Sequence, residues 1–128
     1  GAQAACQASG KRLCTSAEWT MSCGGRGQRA FPYGGAYDGR RCNGLESDAD
    51  DGTVPTASLM DCSTPERVFD MSGNLSEWTT NDRLGVGVSG GDYRSDRLNL
   101  RCDGRRLFMP ATLRNTHGFR CCRDPEEP

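Results

Sequence analysis

A chain of 128 residues that is 34% hydrophobic has room for one domain and only a thin core. Its charges nearly cancel at a net −1, and its arginines, with Lys11 the only lysine, alternate with acidic clusters. That pattern excludes the one-signed field that nucleic-acid binding needs, and no apolar run is long enough to span a bilayer. No signal peptide is visible, so a secreted protein would be represented here in a mature or trimmed form.

The chain carries eight cysteines and no Cys-x-x-Cys pair. An even count without zinc-type spacing predicts disulfides, and with them an oxidising compartment: extracellular, periplasmic or cell-surface. Cross-links restrict the unfolded ensemble where buried apolar surface is insufficient.

In chain order, residues 1–10 read as the latter part of a helix closed by Gly10. Thr15 followed three residues later by Glu18 forms a capping box for a second helix, with Trp19 and Cys23 on one face and Gly24 and Gly25 ending it. From there to about residue 65, glycine, aspartate and arginine with scattered aromatics predict ordered loop. Short strands are expected at 75–79, 86–89 and 118–122, and the tail 123–128 is too polar and proline-rich to pack. Trp19, Trp78, Phe31, Tyr33 and Phe119 are expected in the core, the alternative being a sugar or peptide groove. Loops this long leave many backbone groups to be satisfied, a task for cross-links and ions.

Four stretches carry a further signal by occurring together in one order. They are Gly10-Lys11-Arg12-Leu13-Cys14-Thr15-Ser16-Ala17-Glu18-Trp19, Asp70-Met71-Ser72-Gly73-Asn74-Leu75-Ser76-Glu77-Trp78, Gly90-Gly91-Asp92-Tyr93 and Gly118-Phe119-Arg120-Cys121-Cys122. Over roughly residues 4–122 the chain resembles the sulfatase-modifying-factor family, the formylglycine-generating enzymes and their relatives. The resemblance implies an α+β fold, a C-type-lectin-like variant with two short helices, short antiparallel strands and long ordered loops. It implies a domain at 1–122 followed by a tail at 123–128. Relatives usually have a further upstream segment that contributes strands, so the expectation is either a separate chain or fragment that supplies them or a minimal version of the domain with an edge left to protect.

The resemblance also implies disulfides Cys6–Cys121 and Cys23–Cys102. Neighbouring strand residues face opposite sides, so Cys122 is expected to meet Cys14. Cys42 and Cys62 remain as the last pair, and a vicinal Cys121–Cys122 disulfide or a redox-active thiol is the functional alternative.

Family relatives bind calcium at the second stretch, which implies ligands from Asp70 and Glu77 and the carbonyls of Gly73 and Leu75, with Asn74 as second choice. Calcium takes six to eight hard oxygens, which a bent loop mixing carboxylates and carbonyls supplies. A second, acidic loop resembles the family's other calcium site through Asn43 and Gly44, with Asp48 and Asp50 equally placed. The competing reading of both is a solvated turn whose Asp and Asn side chains bond local amides.

The family's oxidases hold copper(I) on two close thiolates and convert a substrate cysteine to formylglycine. Here the first thiol position falls on Ser95 and the second falls within 98–100, where there is no cysteine. A serine oxygen cannot replace a soft thiolate, so copper is not expected and calcium remains the expected structural cofactor. His117, the single histidine, is expected to close a hydrogen bond rather than do chemistry.

Two functions compete. The first is a non-catalytic extracytoplasmic binding or scaffold module whose contact surface is the segment 94–115, including Arg94, Ser95, Arg97, Asn99, Arg105 and Arg106. Its arginines favour an anionic protein or glycan partner. The second is a formylglycine-generating oxidase or related enzyme in fragment form. A retroelement-diversified receptor on the same fold is a weaker third.

Overall fold

The computed structural model describes residues 1–49, 52–81, 85–104, 107–108 and 116–126. Two helices, α1 (Ala2–Ala8) and α2 (Ser16–Gly24), flank the short strand β1 (Arg12–Leu13). After a long loop region come β2 (Ser76–Asn81), β3 (Gly85–Ser89), β4 (Leu107–Phe108), β5 (His117–Phe119) and β6 (Cys121–Cys122). β4, β3, β2 and β5 form one sheet in that order, with β5 parallel to β2 and the other pairs antiparallel. β1 pairs with β6 in a separate antiparallel ribbon.

The capping box forms as its residues dictate: Glu18 N–H donates to Thr15 Oγ1 at 3.1 Å and Thr15 N–H donates to Glu18 Oε1 at 2.9 Å. α1 ends before Gly10, which takes φ +71°. The expected strand at 118–122 is instead two strands in two sheets, broken at Arg120. β5 bonds to β2, whereas both cysteines of β6 are tied by disulfides to the α1–β1 side, and Arg120 turns inward between them.

The core is as thin as the composition requires. Trp19, Cys23, Met71 and Cys102 form its centre, with Val68 packed against it, so a disulfide is half of that cluster. Trp19 and Phe31 are buried as expected, Trp78 and Tyr33 are half-buried, and Phe119 is 45% exposed. Trp78 meets His117 edge-on at 4.8 Å.

Four disulfides join Cys6 to Cys121, Cys14 to Cys122, Cys23 to Cys102 and Cys42 to Cys62, and no cysteine is free. The first two run from α1 and the turn after β1 to adjacent residues of β6. Cys121 and Cys122 point to opposite sides of the strand, so each reaches a different partner. Three of the bridges close loops of 79 to 115 residues, each restricting the unfolded chain by about 4 to 5 kcal/mol if it acted alone.

Candidate functional site

The segment after β3 is pinned from below and open above. Gly90 adopts φ +93°, and a side chain there would strike the Trp19 ring, so only glycine lets the chain pass over the core at this point. Beyond it the backbone turns back on itself. Ser95 Oγ accepts from Asp92 N–H at 2.9 Å, and Asp92 Oδ1 accepts from Arg94 N–H at 2.9 Å. Asp96 Oδ1 gathers the N–H groups of Leu98 and Asn99 and the Asn99 amide at 3.1 to 3.2 Å. Leu100 is the buried anchor, and its carbonyl accepts from Ser72 Oγ at 2.8 Å. Arg94, Arg97, Leu98 and Asn99 therefore project outward from a stiff turn, whereas Ser95 is half-buried with its hydroxyl already engaged. Arg105 and Arg106 lie outside the described residues.

A cleft of about 840 Å³ adjoins this turn, lined by Tyr33, Tyr37, Asp38, Arg40, Glu46 and Asp48 among others. The link is direct: Leu45 N–H donates to the Ser95 carbonyl at 3.0 Å, and the Arg97 charge acts on Tyr37. Phe31 and Tyr33 stack at 5.6 Å, Tyr37 tilts against Phe31 at 5.5 Å, and the Arg41 guanidinium lies 5.3 Å over the Tyr33 ring. Burial pushes the Tyr37 hydroxyl above the usual tyrosine range, with the Glu46 charge adding to it. That hydroxyl is buried and has no hydrogen-bond partner among the described residues. Of the aromatics given the alternative of a groove, Tyr33 lines this cleft, whereas Tyr37 and the charged lining carry no signal in a glycine-rich stretch with no periodicity.

The two stretches expected to hold calcium form a single structure. Asn74 N–H donates to the Asn43 carbonyl at 2.8 Å, and Asn43 Nδ2 donates to Asn74 Oδ1 at 3.1 Å. A Cβ on Gly73 would collide with the Asn43 backbone oxygen, so glycine permits this approach. Asp70, Asn74, Leu75 and Glu77 all line one cavity of about 490 Å³. Gly44 packs under Leu100 and the Ser95 carbonyl, and Asp48 is surface-exposed 4.0 Å from Arg40. Asp50 lies outside the described residues.

Five side-chain oxygens of that cluster accept hydrogen bonds from within the chain. Glu77 is 7% exposed, and its Oε2 accepts from Trp19 Nε1 at 3.0 Å and Arg120 Nε at 2.5 Å, while its Oε1 accepts from an Arg120 Nη2 donor at 2.6 Å. Asp70 Oδ2 accepts from Ala57 N–H at 2.7 Å. Asn74 Oδ1 accepts from Val54 N–H at 2.9 Å, and Asn43 Oδ1 from Ser47 Oγ at 3.0 Å.

A family profile described as the Sulfatase-modifying factor enzyme 1-like domain matches residues 1–125. The chain belongs to this family. The sulfatase-modifying-factor domain described here is 32% identical over 137 residues to the serine/threonine-protein kinase pkn1 of Chlamydia caviae, covering 89% of this chain and 21% of that protein. It is 31% identical to Pkn1 of Chlamydia trachomatis serovar L2, with 90% and 21% covered. The domain thus spans about a fifth of the length of the curated relatives it matches. Among solved structures it is similar to the crystal structure of CarF, with a TM-score of 0.68 and 25% identity over 91% of this chain and 48% of that one. The fold is the α+β fold of the family, cross-linked by disulfides.

Proposed function

We propose that this sulfatase-modifying-factor domain is a non-catalytic, extracytoplasmic binding module. One observation carries the reading: the position of the family's first reactive thiol holds Ser95, whose hydroxyl is engaged with Asp92, while every cysteine in the chain is committed to a disulfide. Without a thiolate pair there is no soft-ligand site for copper(I) on this face. The disulfides support an oxidising compartment.

The contact surface is the pinned turn bearing Arg94, Arg97 and Asn99 together with the aromatic cleft of Tyr33 and Tyr37. Aromatic rings give a ligand flat apolar area at little entropy cost, and the guanidinium of Arg97 offers a fork for a carboxylate or sulfate. The partner is therefore an anionic protein or glycan. The chlamydial kinases, in which a stretch of this kind makes up about a fifth of the length, support a module that is joined to other activities in longer proteins.

The test pairs two assays on the oxidised domain. Incubation with copper(I), oxygen and a cysteine-containing peptide should leave the peptide unchanged, and immobilised sulfated glycan and acidic peptide should show salt-sensitive binding that Arg97→Glu weakens. Conversion of the peptide cysteine to an aldehyde would overturn the reading.

A further inference from the structure

The 70–77 turn contains its own cation. Parallel pairing of β5 with β2 sets Gly118 opposite Glu77 and Phe119 opposite Trp78, which carries Arg120 to the mouth of the turn. There its guanidinium lies in a two-pronged bond with the Glu77 carboxylate, at 2.5 and 2.6 Å, and its Nη2 also donates to the Phe69 carbonyl at 2.9 Å. The Asp70 charge acts on the same guanidinium. Thus the Glu77 carboxylate holds a positive group delivered by the chain itself.

We infer that Arg120 takes the cation position of this turn, so that the domain holds it with a guanidinium and with N–H donors in place of a calcium ion. Three N–H groups already use the acceptor directions of Glu77, which leaves little of that carboxylate for a metal. Asp70 Oδ2, Asn74 Oδ1 and Asn43 Oδ1 each accept a hydrogen bond as well, from Ala57, Val54 and Ser47. A divalent ion entering the cavity would stand close to a guanidinium in a half-buried setting, where like charges are poorly screened. The backbone conformation is already fixed without an ion, since Asp70, Gly73 and Asn74 take φ +60°, +77° and +66° and each is held by hydrogen bonds to neighbouring segments. A covalently attached cation also cannot be removed by dilution or chelation.

The experiment is a calcium titration by calorimetry, with thermal melts in chelator and in millimolar calcium, on the wild-type domain and on Arg120→Met. The wild type should give no binding heat and the same melting temperature in both buffers. Arg120→Met should melt several degrees lower in chelator and regain part of that loss in calcium, with the regain abolished by adding Asp70→Asn. A wild-type melting temperature that rises with calcium, and no longer does so in Asp70→Asn, would overturn the inference. So would a folded Arg120→Met indifferent to calcium. If Arg120→Met does not fold, the wild-type titration decides alone: no heat supports the inference, and binding lost in Asp70→Asn contradicts it.

Discussion

Glu77 and Arg120, 43 residues apart in the chain, meet as a two-pronged ion pair at the 70–77 turn, and the Trp19 indole completes the same carboxylate. One bond network therefore ties α2, β2 and the segment between β5 and β6 to each other. Neutralising one side leaves a largely buried charge without its counterpart. Glu77→Gln should cost about 2–4 kcal/mol by denaturant unfolding, toward the lower part of the range for buried pairs because Arg120 keeps 26% of its side chain exposed.

The bridges Cys6–Cys121 and Cys14–Cys122 close nearly the same loop, with separations of 115 and 108 residues. While either one is intact, the other constrains only the short ring running from Cys6 to Cys14 and back through β6. Removing one bridge should therefore cost about 3 kcal/mol, and removing both about 7 to 8 kcal/mol, more than twice the single loss. Unfolding curves of the two serine-pair variants and their combination check this non-additivity.

Glu18 is held down to about 2 from its ordinary 4.5, first by the Arg12 side chain and then by the Thr15 N–H. A lowered carboxylate stabilises the fold fully above its unfolded value and loses that contribution as pH falls through its folded one. The domain should thus lose stability between pH 4.5 and about 2, and Glu18→Gln should flatten that part of the profile. The effect is reduced by solvent, since Glu18 and Arg12 are 37% and 32% exposed. Thr15→Ala should cost about 1 kcal/mol at any pH, measured by thermal unfolding.

Gly73 combines φ +77° with backbone packed where its side chain would stand. Gly73→Ala should destabilise by about 2–4 kcal/mol, from the strained conformation together with the forced separation from Asn43. Gly85 also has positive φ but open space around it, so Gly85→Ala should cost less, about 1 kcal/mol from the conformation alone. The two melting temperatures side by side give the comparison.

Much of the scaffold was legible in the chain. Thr15 and Glu18 announce α2 because a capping box is a local device, and an even cysteine count in a chain of low apolar content announces disulfides because a thin core needs them. Trp19 was placed correctly for the same reason. What could not be read depends on contacts distant in sequence. Arg120 reads as part of a strand, and only the parallel register of β5 on β2 shows it turning to Glu77. Asn43 and Asn74 look like members of two separate loops, and a backbone bridge makes them one. Phe119 was expected inside, but with β5 at the sheet edge its ring is left exposed. The cleft of Tyr33 and Tyr37 has no local signature, being built by irregular backbone that folds over Phe31.

The most direct measurement is alkylation of the unfolded, unreduced chain followed by mass spectrometry. A domain whose cysteines all serve structure, and whose face at Ser95 carries no thiol, should show none of its eight cysteines modified. Modification of Cys102 or Cys23 would return a thiol to the segment beside Ser95 and contradict the account.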